Sequence, residues 1–288
     1  MAKVCFSDRI KTNAEGFQQI ISKFNEVCDY KESIIEIDFS DVSFFDANFA
    51  AIIGVYLERL EELGNIIIFS FTKNSEKVQH TLQRNQFLVQ RGYPSLVDNF
   101  NTCVPYRKFR SVDAAGFQQY IITDFIGIEG FPKMTADLGK KMVESVYEIY
   151  VNATTHGQCN YIHACGQVFI RNPEKPLQFC IVDSGKNIKE NVSEHFGKDI
   201  CSTDSILWAM ELGHTTKVNE TGGLGLGLIF EFVKLNRGIL QVVSHDGFYQ
   251  FKGGNVTTTR LNSPFPGTIV NLTINLADTK SYYLSNGS

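Results

Sequence analysis

The first hundred residues switch between two hydrophobic periodicities, and this switching constrains the fold more than any single motif. Phe17, Ile20, Ile21, Phe24 and Val27 recur at the three-and-four spacing of a helix. "SIIEIDFS" then reads as a short strand, "ANFAAIIGVYLERLEELG" as a helix ending at Gly64, "NIIIFSF" as a second strand, and "SEKVQHTLQRNQF" as another helix. A sheet covered by helices buries both kinds of apolar face, so an α/β fold is expected. Around Asp98–Asp113 the pattern lapses into polar residues with one proline. We place the domain junction there, with a first domain over 1–100, a linker over 101–112 and a second domain over 113–288. A chain of 288 residues is long enough for two such domains.

Beyond the junction, spacing predicts helices near Ala114–Phe125 and Thr135–His156, then strands at "YIHACGQVFI" and "LQFCIVD". A polar, irregular stretch runs from Ser184 to Glu220 and contains a short helix at "TDSILWAMELG". A helix at "LGLIFEFVKLN" and strands at "GILQVVS", "GFYQFKG" and "GTIVNLTINL" complete the pattern. The formal charge of −4 carries no excess of positive charge and argues against nucleic acid as the main partner. Apolar runs such as "NFAAIIGVYL" are too short to span a bilayer, and "MAKVCFSDRI" has no apolar leader region. Seven cysteines without a C-x-x-C pair fit reduced thiols in a cytoplasm.

Three stretches carry chemistry. "TGGLGLGLIF" (Thr221–Phe230) leads a glycine cluster into an apolar run, and bare backbone at a helix entrance suits a phosphate, which the unpaired N–H groups and the helix dipole attract. Leu228 breaks the dinucleotide-binding G-x-G-x-x-G pattern, and a Walker-type Lys-Ser/Thr ending is absent, so another nucleotide fold is implied. On the long helix, Glu144, Glu148, Asn152 and His156 lie four apart, a polar stripe beside the apolar face of Leu138, Met142, Val146, Ile149 and Ala153. In "VDSGKNI" an apolar strand ends at Asp183 before a Gly185 turn, where a carboxylate can accept a proton from an exocyclic amine or serve as a turn residue. His156, Cys159, His163 and Cys165 also fall within ten residues, a cluster of types that can hold zinc.

Taken in order, these stretches resemble the GHKL superfamily of ATP-binding domains, an α/β sandwich found in sensor histidine kinases, type II topoisomerases and anti-sigma-factor serine kinases. "EIYVNATTHG" is similar to the N box, "DSGKNI" to the G1 box, "HTTKVNETGGLGLGL" to the lid and G2 box, and "PGTIV" to the final-strand G-T-x-V. The resemblance implies that Asn152 binds the Mg²⁺ bridging the phosphates of ATP, that Glu148 positions or deprotonates a nucleophile, and that His156 lies near the phosphates. It further implies that Asp183, with Gly185 in its turn, receives the adenine amino group, and that Thr268 contacts the adenine region. Thr216 and Lys217 would belong to the lid, Lys217 reaching the terminal phosphate, and Gly223, Gly225 and Gly227 to the phosphate-cradling turn. Asn187 departs from the G1 pattern, where a glycine is expected.

The first domain resembles, more loosely, the STAS domain of anti-sigma-factor antagonists, through "IEIDFSDVSFFDANFAAIIGVYL" and the following strand. The family's phosphoacceptor serine falls on Asn48, which has no hydroxyl, while Asp46 keeps the loop's acidic residue. The two resemblances together imply a cytoplasmic bacterial regulatory protein with a protein partner, no membrane or nucleic-acid partner, and a homodimer left open. Its chemistry would be transfer of the γ-phosphoryl group of Mg·ATP to water or to a protein hydroxyl. The alternative is a non-catalytic module in which ATP changes only a partner-binding surface.

Overall fold

The computed structural model of the chain describes residues 1–211 and 224–284, without the side chains of 224–226. The N-terminal part is built on a parallel sheet in the order β1 (Ala2–Ile10), β2 (Ile34–Phe45), β3 (Ile66–Ser70). Parallel neighbours need crossovers, supplied by α1 (Ala14–Asn25) and α2 (Ala50–Glu62). The Asn13 side chain caps α1 by accepting the Gly16 N–H at 2.9 Å, and Phe17, Ile20, Ile21 and Phe24 turn inward. α3 (Glu76–Arg84) adds Val78 and Leu82 to the same core. β1 lies in a stretch that spacing assigned to no element, although Ala2, Val4 and Phe6 alternate inward along it.

The second part is an antiparallel sheet in the order β4 (Cys103–Arg110), β6 (Tyr161–Val168), β7 (Pro176–Asp183), β9 (Asn255–Asn275), β8 (Ile239–Lys252). One face carries α4 (Ala114–Tyr120, continued by a π turn to Phe125), α5 (Ala136–Thr155) and α8 (Leu224–Leu235). α6 (Ile188–Phe196) and α7 (Ser202–Met210) follow β7, and short β5 (Lys133–Met134) and β10 (Ser281–Tyr282) pair with each other. The expected linker over 101–112 is therefore corrected: β4 fills most of it as an edge strand. A register shift between Val104 and Arg107 breaks its alternation and hides the strand from a period-two search. β8 doubles back on itself, because His245 takes a φ of +53° and Gln241 and Gln250 of the same strand meet at 2.9 Å. The two separate strands expected at "GILQVVS" and "GFYQFKG" are these two limbs.

The parts share one core across the second sheet. Cys165, Cys180, Val182, Val243 and Ile269 join the cluster of the N-terminal part, whereas Ala164, Phe179, Ile181 and Leu240 of the same strands face α4, α5 and α8. The layers run sheet, α1 with α2, sheet, α4 with α5 and α8. This explains the unbroken burial along α2: Ala50 to Leu57 are all buried, as they must be where the helix has a sheet on either side. Gly54 permits the close approach, since a Cβ there would lie 2.3 Å from the Tyr106 hydroxyl and 2.8 Å from His163 Nδ1. Among the described residues no helix is long and apolar enough to cross a membrane.

Candidate functional site

α5 is capped by the Thr135 hydroxyl, which accepts the Leu138 N–H at 3.4 Å, and it buries Leu138, Met142, Val146, Ile149 and Ala153 as its spacing requires. The polar stripe beside that face begins in solvent at Glu144 and becomes half-buried at Glu148, Asn152 and His156. The helix closes when the Asn152 carbonyl accepts both the His156 and the Gly157 N–H, at 2.9 and 3.0 Å. The following turn reaches the end of β7 directly, because the Gly157 carbonyl accepts the Lys186 N–H at 2.6 Å.

Asp183 ends β7 opposite Thr268 of β9, and Thr268 lies opposite Ser244 of β8. Its Oδ1 accepts the Gly185 N–H at 2.9 Å, and the Thr268 N–H also donates to the carboxylate. Burial outweighs these two donors and pushes the Asp183 carboxyl up to about 7. Among the described residues no cation pairs with it. Two glycines make the corner tight: a Cβ on Gly185 would lie 2.2 Å from the Gly157 carbonyl oxygen, and one on Gly267 would lie 2.0 Å from that of Asp183. Side chains are excluded there by backbone that cannot yield.

Asn187, the departure from the expected glycine, takes an ordinary φ of −79° and caps α6, accepting the Glu190 N–H at 2.9 Å while Glu190 accepts the Asn187 N–H in return. The position needs a cap rather than conformational freedom. Ser244 is the residue that motif spacing missed. Fully buried, its hydroxyl accepts the Ile188 N–H at 2.8 Å and lies 3.2 Å from Thr268 Oγ1, tying the start of α6 to β9. A lone serine inside a strand has no sequence signature.

The structure thus joins His156, Asp183, Gly185 and Thr268 around one corner, with Asn152 and Glu148 one and two turns back along α5. α8 packs alongside α5 and begins at Leu224, so Gly225 and Gly227 belong to its first turn rather than to a loop before it. Thr216, Lys217 and Gly223 lie outside the described residues. The zinc alternative is not supported: His163 and Cys165 face the N-terminal part, Cys159 faces the helices, and no three His, Cys, Asp or Glu groups converge among the described residues. A cleft of about 440 Å³ between α4 and the first turns of α5, lined by Ile122, Ile126, Lys140, Val143 and Glu144 among others, lies at the opposite end of the stripe. In comparisons with known proteins, no family model and no curated protein matches the chain.

Proposed function

We propose that the chain binds Mg·ATP at the corner formed by α5, the end of β7 and the start of α8, and transfers the terminal phosphoryl group to water or a protein hydroxyl. The observation that carries this reading is Asp183: a buried carboxylate at a strand end, held by backbone N–H groups, next to a turn of glycines and the last turn of a helix bearing Glu148, Asn152 and His156. Asp183 would accept the adenine amino group, and Thr268, steered by Ser244, would meet the same edge of the base. The GHKL and STAS resemblances of the sequence agree with this arrangement.

The donor set fits a cation held chiefly by phosphate oxygens: Asn152 offers one neutral oxygen, and Mg²⁺ usually takes one or two protein oxygens and completes its shell with phosphate and water. Bound Mg²⁺ would neutralise phosphate charge. Glu148, one turn before Asn152, would accept the proton of the attacking hydroxyl, and Lys217 would approach the terminal phosphate. The N-terminal part would make the protein regulatory, receiving nucleotide state through the shared core.

Glu148→Gln and Asn152→Ala test this. In a basal turnover assay the first should lower the rate by about 10²–10⁴-fold with affinity nearly unchanged, the usual worth of a positioned base. The second should weaken Mg·ATP binding itself. Binding of ATP without turnover or transfer in the wild type would replace the enzyme with an ATP-gated binding module.

A further inference from the structure

α1 belongs to the N-terminal part, yet its polar stripe grips the chain just before Thr268. Gln18, Ser22 and Asn25 lie at successive turns of α1. The Gln18 side-chain oxygen accepts the Asn262 N–H, the Ser22 hydroxyl donates to Ser263 Oγ at 3.1 Å, and Asn25 Nδ2 donates to the Pro264 carbonyl at 2.8 Å. Asn25 is itself held, its Oδ1 accepting the Tyr56 hydroxyl at 3.2 Å, and the Tyr56 ring meets Phe265 edge-on at 5.7 Å between centroids. Three consecutive residues are thus fastened to one helix face.

The β ladder does not fasten them. Between Arg260 and Thr268, β9 keeps only the Phe265–His245 pairing with β8, and its ladder with β7 begins at Thr268. Pro264 and Pro266 fix φ in the intervening chain and stiffen it, and Gly267 rests against the Asp183 carbonyl. A displacement at Ser263 or Pro264 therefore passes to Gly267 and Thr268 with little to absorb it.

We propose that α1 is a positioning element for the adenine side of the site, so that the N-terminal part sets nucleotide affinity through the 262–268 segment. The proposal rests on the adenine reading of Asp183 and Thr268. The clamp holds Thr268 at the depth where its N–H and hydroxyl meet Asp183 and Ser244. Loosening it withdraws the base contacts and leaves the phosphate end alone.

The test uses the full chain with Ser22→Ala and Asn25→Ala combined. Calorimetry should show Mg·ATP binding weakened about tenfold, the scale of two lost hydrogen bonds, with binding of Mg²⁺ and inorganic triphosphate unchanged. Glu58→Gln loosens the same face elsewhere, at His163 and Lys108, and should leave ATP affinity within about twofold of wild type. Ser22→Thr keeps the hydroxyl and should bind like wild type. Equal weakening of ATP and triphosphate, or of the clamp and Glu58 variants, would overturn the proposal, as would an unchanged double variant. Hydrogen exchange at residues 266–270 without nucleotide separates the two layers of inference. Faster exchange in the double variant is required even if ATP proves not to be the ligand, and unchanged exchange overturns the clamp. If the double variant does not fold, Asn25→Asp, which removes only the donor to Pro264, carries the same measurements.

Discussion

Two carboxylates end apolar strands in this molecule, and the chain treats them differently. Asp46 follows β2 and Asp183 ends β7; both are buried, and burial pushes them up to about 6 and about 7. Around Asp46 the protein completes the site itself. Thr12 donates its N–H at 2.7 Å and its hydroxyl lies at 2.9 Å, the same hydroxyl reaches Asn48 and Gln178, and the Asn48 side chain donates to Asn271 at 2.8 Å. The loop is sealed against the rear face of the second sheet. Around Asp183 the described donors are backbone groups alone, Asn187 is spent on a helix cap, and the polar stripe of α5 arrives alongside. A strand-end carboxylate is thus a device of either kind: when the same chain supplies its partners it locks two layers together, and when it does not it is available to a ligand.

The sealed loop should be the more costly to disturb. Asn48→Leu strands Asn271 and removes a partner of Thr12 in a dry interface, and should destabilise by about 3 kcal/mol in denaturant unfolding, since each buried group left unpaired costs about 1–3 kcal/mol. Asn187→Ala in the other loop removes only an N-cap and should cost about 1 kcal/mol. Equal costs would dissolve the distinction between the loops.

The pH dependence sharpens it. Both acids bind protons more tightly folded than unfolded, so their contribution to stability falls as pH rises from about 4 through 7 and returns on acidification. Nucleotide affinity should move the other way, because an ionised Asp183 is needed to accept the amino group. At pH 6 it should be about tenfold weaker than at pH 8, measured by titration with Mg·ATP. The smallest effect belongs to Asp46→Asn, whose oxygen can still accept from Thr12. At pH 8 it should be neutral or stabilising by about 1 kcal/mol, and the gain should vanish by pH 5.

What the sequence made legible follows from how local each feature is. The α5 stripe, the Asp183 turn, β7 and the half of β9 from Gly267 onward were readable because each rests on spacing within a few residues. α6 was not, since only Val192 of its residues is buried and its apolar pattern is faint; its Asn187–Glu190 capping box was the available signal. β4 was masked by its bulge. The burial of Asp46 and Asn48 depends on a sheet more than a hundred residues away, as does the role of Ser244 on contacts among three elements. The glycine run marked a helix start correctly, while its Gly223 and the lid residues Thr216 and Lys217 fall outside the described residues.

Calorimetry of the full chain with ATP and GTP, with and without Mg²⁺, addresses the central claim most directly. On the proposed reading Asp183 would accept from the amino group of adenine but would face the carbonyl of guanine, and an unmet buried acceptor pair costs about 1–3 kcal/mol, so ATP should bind about 5- to 150-fold more tightly, and only well with Mg²⁺. Asp183→Asn should abolish that preference. Equal affinities for ATP and GTP, or a preference that survives Asp183→Asn, would contradict the account.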